Sequence, residues 1–151
     1  MGREIQTSLV NQAGEEVYDV GYICGRNDAT NLVTNFIYYS EGQPADAYYM
    51  DFTLNDPRLD ELKDRLFEIN LGEEAELHRA TETAEALRAA RRNVTVYAEF
   101  VKFSDAIDNA DRFIEEWCSY AEALISDINT AYERLEALHD DTLRLRILVS
   151  E

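Results

Sequence analysis

Only two histidines, His78 and His139, could provide imidazole chemistry in this chain. Glu74 precedes His78 by four residues and Glu136 precedes His139 by three, so each pair would share one face of a helix. The Glu-x-x-His spacing occurs in di-metal carboxylate bundles, but those sites need a second such motif and two further glutamates. The sequence therefore predicts neither a metal site nor a cofactor.

The usual arrangements for nucleophilic catalysis and nucleotide binding are also missing from the sequence. It contains no Gly-x-Ser-x-Gly elbow, and neither Cys24 nor Cys118 has a histidine nearby in the chain. The segment Gly21-Tyr-Ile-Cys-Gly25 lacks the Lys-Ser/Thr of a phosphate loop and the third glycine of a dinucleotide fingerprint. We interpret it as a strand with a close approach to its backbone, and we expect a protein that is not an enzyme and has no catalytic residues.

Charge is the most distinctive property of the sequence. The chain carries 31 acidic and 14 basic residues, a net charge of -17. Such a charge disfavours direct binding of nucleic acid, which requires a basic face, and favours a basic protein partner. Only two of the bases are lysines, Lys63 and Lys102. A high-salt host or a GC-rich genome would produce a similar composition, and composition alone does not separate these origins.

The acidic residues are unevenly placed along the chain. Residues 104–140 carry ten acids and two bases, and several of the acids repeat at seven-residue intervals, with Asn129 filling one gap. Because seven residues are close to two helical turns, this repeat predicts a line of carboxylates along a helix. The predicted partner-binding residues are Asp108, Asp111, Glu115, Glu116, Glu122, Asp127 and Glu136.

This line could imitate a nucleic-acid backbone for a basic target. Duplex DNA carries one charge per about 1.7 Å of axis, whereas ten acids along a helix of about 55 Å give one per about 5 Å. One helix is therefore too weakly charged, and a dimer or further acids from a sheet would be needed. The sheet candidates are Asp28, Glu41, Asp46 and Asp51.

The leading hypothesis is a non-enzymatic acidic binding or inhibitor protein that engages a basic, nucleic-acid-handling protein or complex, such as an anti-defence protein of a phage or mobile element. One alternative is a structural or assembly protein that forms a homodimer through its long helix. Another is a small ligand-binding protein or enzyme from a high-salt organism. The sequence shows no signal peptide and no run of eighteen apolar residues, so we expect a cytoplasmic protein without a membrane partner.

The elements that would position these groups follow an α+β order. We predict a single domain over residues 1–151, in which 1–55 are mainly β, 56–140 mainly α and 143–149 a final strand. An N-terminal antiparallel sheet is expected to pack against an antiparallel helical hairpin that contains a long, heptad-patterned C-terminal helix.

The first hairpin is predicted from strands at 3–10 and 16–24. A second hairpin would join 30–39 to 47–54 through the loop 40–46, which two tyrosine pairs flank. A helix over 29–39 is the alternative, because apolar residues there recur at i and i+4.

The first predicted helix has Asp56 as its cap, Pro57 at its first position and Gly72 as its stop. A second apolar series from Leu77 to Val101 is compatible with one helix, and a strand at 94–103 is its alternative.

The strongest periodicity, from Ile107 to Leu138, predicts an unbroken helix that begins at Ser104 or Asp105. A chain reversal near Phe103 would place Arg91 and Arg92 opposite Glu116 and Glu115.

Overall fold

The computed structural model describes residues 3–39 and 48–150. These residues form two compact units: a sheet unit of residues 3–39, 48–70 and 120–150, and a hairpin unit of residues 71–119. The predicted α+β class is confirmed, while the single-domain prediction stays a prediction. The elements are β1 (Glu4–Val10), β2 (Glu16–Cys24), α1 (Asp28–Tyr39), β3 (Tyr49–Phe52), α2 (Pro57–Arg91), α3 (Tyr97–Glu116), α4 (Tyr120–Leu138) and β4 (Arg144–Ser150).

The sheet unit is built on four antiparallel strands in the order β2-β1-β4-β3. The predicted hairpin of β1 and β2 and the predicted C-terminal strand are both confirmed. Asn11 closes the hairpin turn, because its side-chain oxygen accepts hydrogen bonds from the backbone N–H groups of Ala13 and Glu15 at 3.0 and 2.9 Å. The C-terminal strand lies between β1 and β3, so β1 and β4 pair with each other in the middle of the sheet.

The apolar side chains of the sheet pack against α1, the first part of α2, and α4. Burial of alternate residues on β4 and of the i, i+3, i+4 positions on the helices gives one continuous core. Its largest fully buried side chains are Ile5, Leu9, Val33, Phe52, Leu62, Leu66, Leu124, Ile128, Leu145 and Ile147.

The prediction of a strand at 30–39 is wrong, because this segment is helix α1. Asn27 caps the helix: its side-chain oxygen accepts a hydrogen bond from the Thr30 N–H at 3.0 Å, and the Thr30 hydroxyl accepts one from the Asn27 N–H at 3.1 Å. This reciprocal pair is equivalent to a capping box. Val33 and Ile37, spaced at i and i+4, are both buried, so helical spacing outweighed the β propensity of the aromatic and branched residues.

The predicted second hairpin is therefore wrong as well. Strand β3 pairs with β4, with Met50 opposite Ile147 and Phe52 opposite Leu145. The predicted loop 40–46, with Glu41, Gly42, Pro44 and Asp46, lies outside the described residues.

Helix α2 begins as predicted, but it does not stop at Gly72. The Asp56 side chain accepts a hydrogen bond from the Arg58 N–H at 3.0 Å, and the helix continues to Arg91. A glycine inside a helix costs only about 1 kcal/mol relative to alanine. The good helix formers on both sides of Gly72 offset that cost.

The hairpin unit consists of the second part of α2, a turn, and α3. The predicted antiparallel hairpin is confirmed, but the chain reverses at residues 92–96, where Asn93 and three β-branched residues disfavour helix. Residues 97–103 are helical, so the alternative strand at 94–103 is wrong. The pairing of Arg91 and Arg92 with the two glutamates is also wrong.

The contacts across the hairpin define its register. The Arg91 side chain donates to Ser104 Oγ at 3.2 Å, Arg88 forms an ion pair with Asp111, and the Trp117 indole N–H donates to the Glu73 carbonyl at 3.1 Å.

The long C-terminal helix is present as two consecutive helices, and the predicted unbroken helix is interrupted at Trp117, Cys118 and Ser119. Trp117 has extended backbone angles, φ -63° and ψ 136°. Ser119 precedes α4 and stands three residues before Glu122, the spacing of a capping box. This local signal for a new helix start competes with the continuous heptad pattern.

Candidate functional site

The seven predicted partner-binding residues lie on both units. In the hairpin unit, Asp108, Glu115 and Glu116 are exposed on α3. Asp111 is half-buried and forms an ion pair with Arg88. Within this unit, only Asp108, Glu115 and Glu116 among the predicted residues therefore offer exposed carboxylates to a partner.

In the sheet unit, Glu122 and Glu136 are exposed on α4 at the same helical face as Asn129. The Lys63 ammonium of α2 donates a hydrogen bond to the Asn129 side-chain oxygen at 3.3 Å. Lys63 also lies 5.8 Å from the centre of the Tyr132 ring. The acidic side of α4 therefore borders α2.

Helix α2 adds acids that the sequence analysis missed. Asp60 and Asp64 are exposed, and with Phe67 they occupy positions i, i+4 and i+7 of one face. Phe67 is 54% exposed, which makes it an apolar side chain beside carboxylates. The apolar stripe of the predicted first helix already indicated that these acids are exposed, because it leaves Asp60 and Asp64 on the opposite side. Glu133, four residues after Asn129 on α4, is also exposed. We call Asp60, Asp64, Glu122, Glu133 and Glu136 the α2–α4 acidic surface.

Asp127 does not belong to this surface. It is half-buried, and its carboxylate oxygens lie 3.3 and 3.4 Å from the position that a Cβ atom on Gly21 would occupy. Burial raises the pKa of Asp127, and the nearby Asp19 carboxylate raises it further. As predicted, another group approaches the backbone closely at Gly21. That group is the Asp127 side chain of α4, which therefore lies against β2.

Two of the four acids that were expected to add to the charged surface, Asp28 and Asp51, lie among the described residues, and their surroundings differ. Asp28 is exposed at the start of α1. Asp51 is engaged by Arg146, whose guanidinium donates to both carboxylate oxygens at 2.7 and 2.9 Å and lies 3.9 Å from the centre of the Tyr49 ring. The hydrogen bonds to Asp51 raise the pKa of Arg146. Asp51 is thus neutralised within the sheet unit.

In the described part of the chain, each histidine has fewer potential metal ligands around it than a metal site requires. His78 is exposed, with Nε2 3.1 Å from a Glu82 oxygen. His139 and Glu136 line a cleft of about 440 Å³ at the end of α4, together with Asp140, Asp141 and Arg144. Hydrogen bonds from the Thr142 hydroxyl and N–H lower the pKa of Asp140. Within residues 3–39 and 48–150, no group of three or more His, Cys, Asp or Glu is placed to hold a metal ion.

The tyrosine pairs form a second surface on the sheet unit. Tyr38 stacks on Tyr48 with ring centres 5.7 Å apart, and its ring meets that of Tyr39 edge to face. These rings and Arg3 line a cleft of about 290 Å³. None of the helices in the described part of the chain combines the length and apolar character that crossing a membrane requires.

Comparisons with protein-family models, with curated proteins and with solved structures found no match to this chain.

Proposed function

We propose that this protein is a non-enzymatic binding or inhibitor protein whose α2–α4 acidic surface engages a basic protein. The observation that supports the proposal is that five exposed carboxylates lie on two helices that are in contact through the hydrogen bond from Lys63 to Asn129. A rigid helical layer can hold such charges at fixed spacing without ordering a loop on binding. Asp108, Glu115 and Glu116 are a separate candidate patch on the hairpin unit.

The chemistry of the surface suits a cationic target. Exposed carboxylates accelerate encounter with a basic partner, and charge-assisted hydrogen bonds to Arg or Lys form once the two surfaces meet. Phe67 supplies an exposed aromatic side chain beside the charges, and aromatic residues are enriched at binding interfaces. We propose that the target is a nucleic-acid-handling protein, because such proteins carry basic grooves for phosphates.

The proposal is tested by affinity capture from host lysate at low salt, followed by elution with rising salt. The test variant is Asp60→Asn, Asp64→Asn, Glu122→Gln and Glu136→Gln, which removes four charges at nearly constant size. We expect the parent to retain a basic protein that is released by salt and displaced by excess duplex DNA. The variant should lose that protein, because the attraction is electrostatic.

A charge-matched control distinguishes an effect of this surface from an effect of the net charge. Glu4→Gln, Glu15→Gln, Asp19→Asn and Asp141→Asn remove four exposed charges from other parts of the sheet unit. The control should capture the partner as the parent does. Equal capture by parent, control and a folded test variant would exclude the α2–α4 acidic surface and direct attention to the tyrosine cleft.

A further inference from the structure

The end of the hairpin unit that contains the turn is apolar and basic, although the chain as a whole is acidic. Val96, Tyr97, Phe100 and Val101 are all exposed there, and Tyr97 is 80% exposed. We call these four residues the hairpin tip. Within residues 71–119 the only buried apolar side chains are Ala84 and Ile107, so the two helices by themselves enclose very little core.

Charge along the hairpin is strongly polarised. Residues 88–102 carry four bases and one acid, whereas residues 71–87 and 103–119 together carry ten acids and two bases. Arg91 is occupied within the hairpin by Ser104 and the Phe100 ring, and Arg88 by Asp111. Arg92 and Lys102 are the exposed cations beside the tip.

The two poles cannot neutralise each other within one chain. Helix α3 has 20 residues and is therefore about 30 Å long, whereas the Debye length is about 10 Å at 0.1 M salt. The exposed acids Glu74, Glu76, Glu115 and Glu116 lie at the end opposite the tip.

We propose that the hairpin unit pairs antiparallel with the hairpin unit of a second copy of this chain, forming a four-helix bundle. An antiparallel pair with two-fold symmetry places the tip of each copy against the acidic end of the other. It covers the exposed apolar side chains and adds the second helical layer that a two-helix hairpin lacks. A parallel pair would instead oppose Arg92 and Lys102 to their own copies. This inference does not depend on the proposed function.

The oligomeric state of the full chain gives the first test. Sedimentation velocity over a concentration series should show a monomer–dimer equilibrium whose dissociation constant rises with salt. Arg92→Glu and Val101→Ser should each raise that constant by about tenfold or more. Arg26→Glu and Val17→Ser change the same residue types at exposed positions of the sheet unit and should leave it within about twofold of the parent.

Disulfide trapping tests the orientation. In a Cys24→Ser background, Thr95→Cys adds a thiol in the turn, and the natural Cys118 is exposed at the other end of the hairpin unit. Within one copy the two are separated by the length of α3, far beyond the roughly 7 Å Cα separation that a disulfide allows. We expect oxidation to give an intermolecular 95–118 link, identified by peptide mass spectrometry and absent in Cys118→Ser.

Two outcomes would overturn the proposal. Links of 95 to 95 or of 118 to 118 would exclude the antiparallel arrangement. A chain that stays monomeric at about 100 μM, a concentration at which a micromolar dimer is populated, would exclude self-association. Co-sedimentation of that monomer with anionic phospholipid vesicles would then assign the hairpin tip to a lipid surface.

Discussion

At the scale of single residues, Asp127 shows how position changes the role of a carboxylate. Glu122 and Glu136 on the same helix are exposed, whereas the Asp127 side chain lies over Gly21 and close to Asp19. Burial and the second carboxylate both disfavour its charged form, so the pKa of Asp127 is raised. This residue weakens the folded state at neutral pH.

We expect Asp127→Asn to raise the melting temperature at pH 7. Because the folded-state pKa is above the unfolded one, the penalty appears as pH rises through the unfolded value and is complete above the folded value. Below both values the acid is protonated in either state, so the variant should gain nothing near pH 3. The gain should be less than about 1 kcal/mol, since the group is partly solvated.

Thermal unfolding of parent and variant at both pH values checks this prediction. Asp19→Asn should raise the melting temperature at pH 7 by a smaller amount. An equal gain at pH 3 and pH 7 would show that ionisation of Asp127 is not the cause.

At the scale of elements, α2 runs for 35 residues although it contains a glycine, Gly72. Gly72 has ordinary helical geometry, and a Cβ atom added there would have no heavy atom within 4 Å. By contrast, Gly14 in the β1–β2 turn has φ +79°, a left-handed conformation that side chains disfavour.

Gly72→Ala should therefore stabilise the protein by about 0.5–1 kcal/mol, because alanine has less backbone freedom to lose and no neighbour to clash with. Urea denaturation gives the free energy of unfolding. Gly14→Ala is the paired control and should lower it. A loss of stability in Gly72→Ala would mean that α2 does not pass through residue 72 as a regular helix.

The seam of α4 should be the part of the predicted heptad pattern most sensitive to truncation. Leu124 is 1% exposed between the helices and the sheet, whereas Leu138 at the end of the same helix is 47% exposed. Leu124→Ala should cost about 2–5 kcal/mol, and Leu138→Ala about 0.5 kcal/mol or less. Equal chemical-denaturation midpoints for the two variants would contradict the packing of α4 on the sheet.

At the scale of the whole molecule, the net charge of -17 sets the response to salt. Repulsion among exposed acids opposes folding and is screened as the Debye length falls from about 10 Å at 0.1 M to about 3 Å at 1 M. We expect the melting temperature to rise with NaCl, with a cooperative transition already present at 0.1 M. A chain that unfolds without molar salt would instead support halophilic adaptation as the source of the acidity.

Local patterns in the sequence were sufficient for several elements. Alternating apolar residues predict β1, β2 and β4, Asp56-Pro57 predicts the start of α2, and Leu124 and Ile128 are correctly assigned to a buried seam. These features depend on neighbours in the chain, so spacing and capping chemistry are enough. Asn27 and the Ser119-x-x-Glu122 spacing are equally local signals for α1 and for the start of α4, although a strand and an unbroken helix were predicted there.

Tertiary contacts decided the rest, because a single helix or strand pattern does not specify which other element will pack against it. Packing of Val33 and Ile37 against the sheet adds to the local cap at Asn27 in favouring a helix at 28–39. The contact between α2 and α3 pairs Arg88 with Asp111. The sequence predicted Asp108, Glu115, Glu122 and Glu136 as one line with further acids beside it, but whether a carboxylate on a helix is exposed depends on the elements that pack against that helix. The hydrogen bond from Lys63 to Asn129 brings the acidic side of α4 to α2, while packing against β2 removes Asp127 from that side.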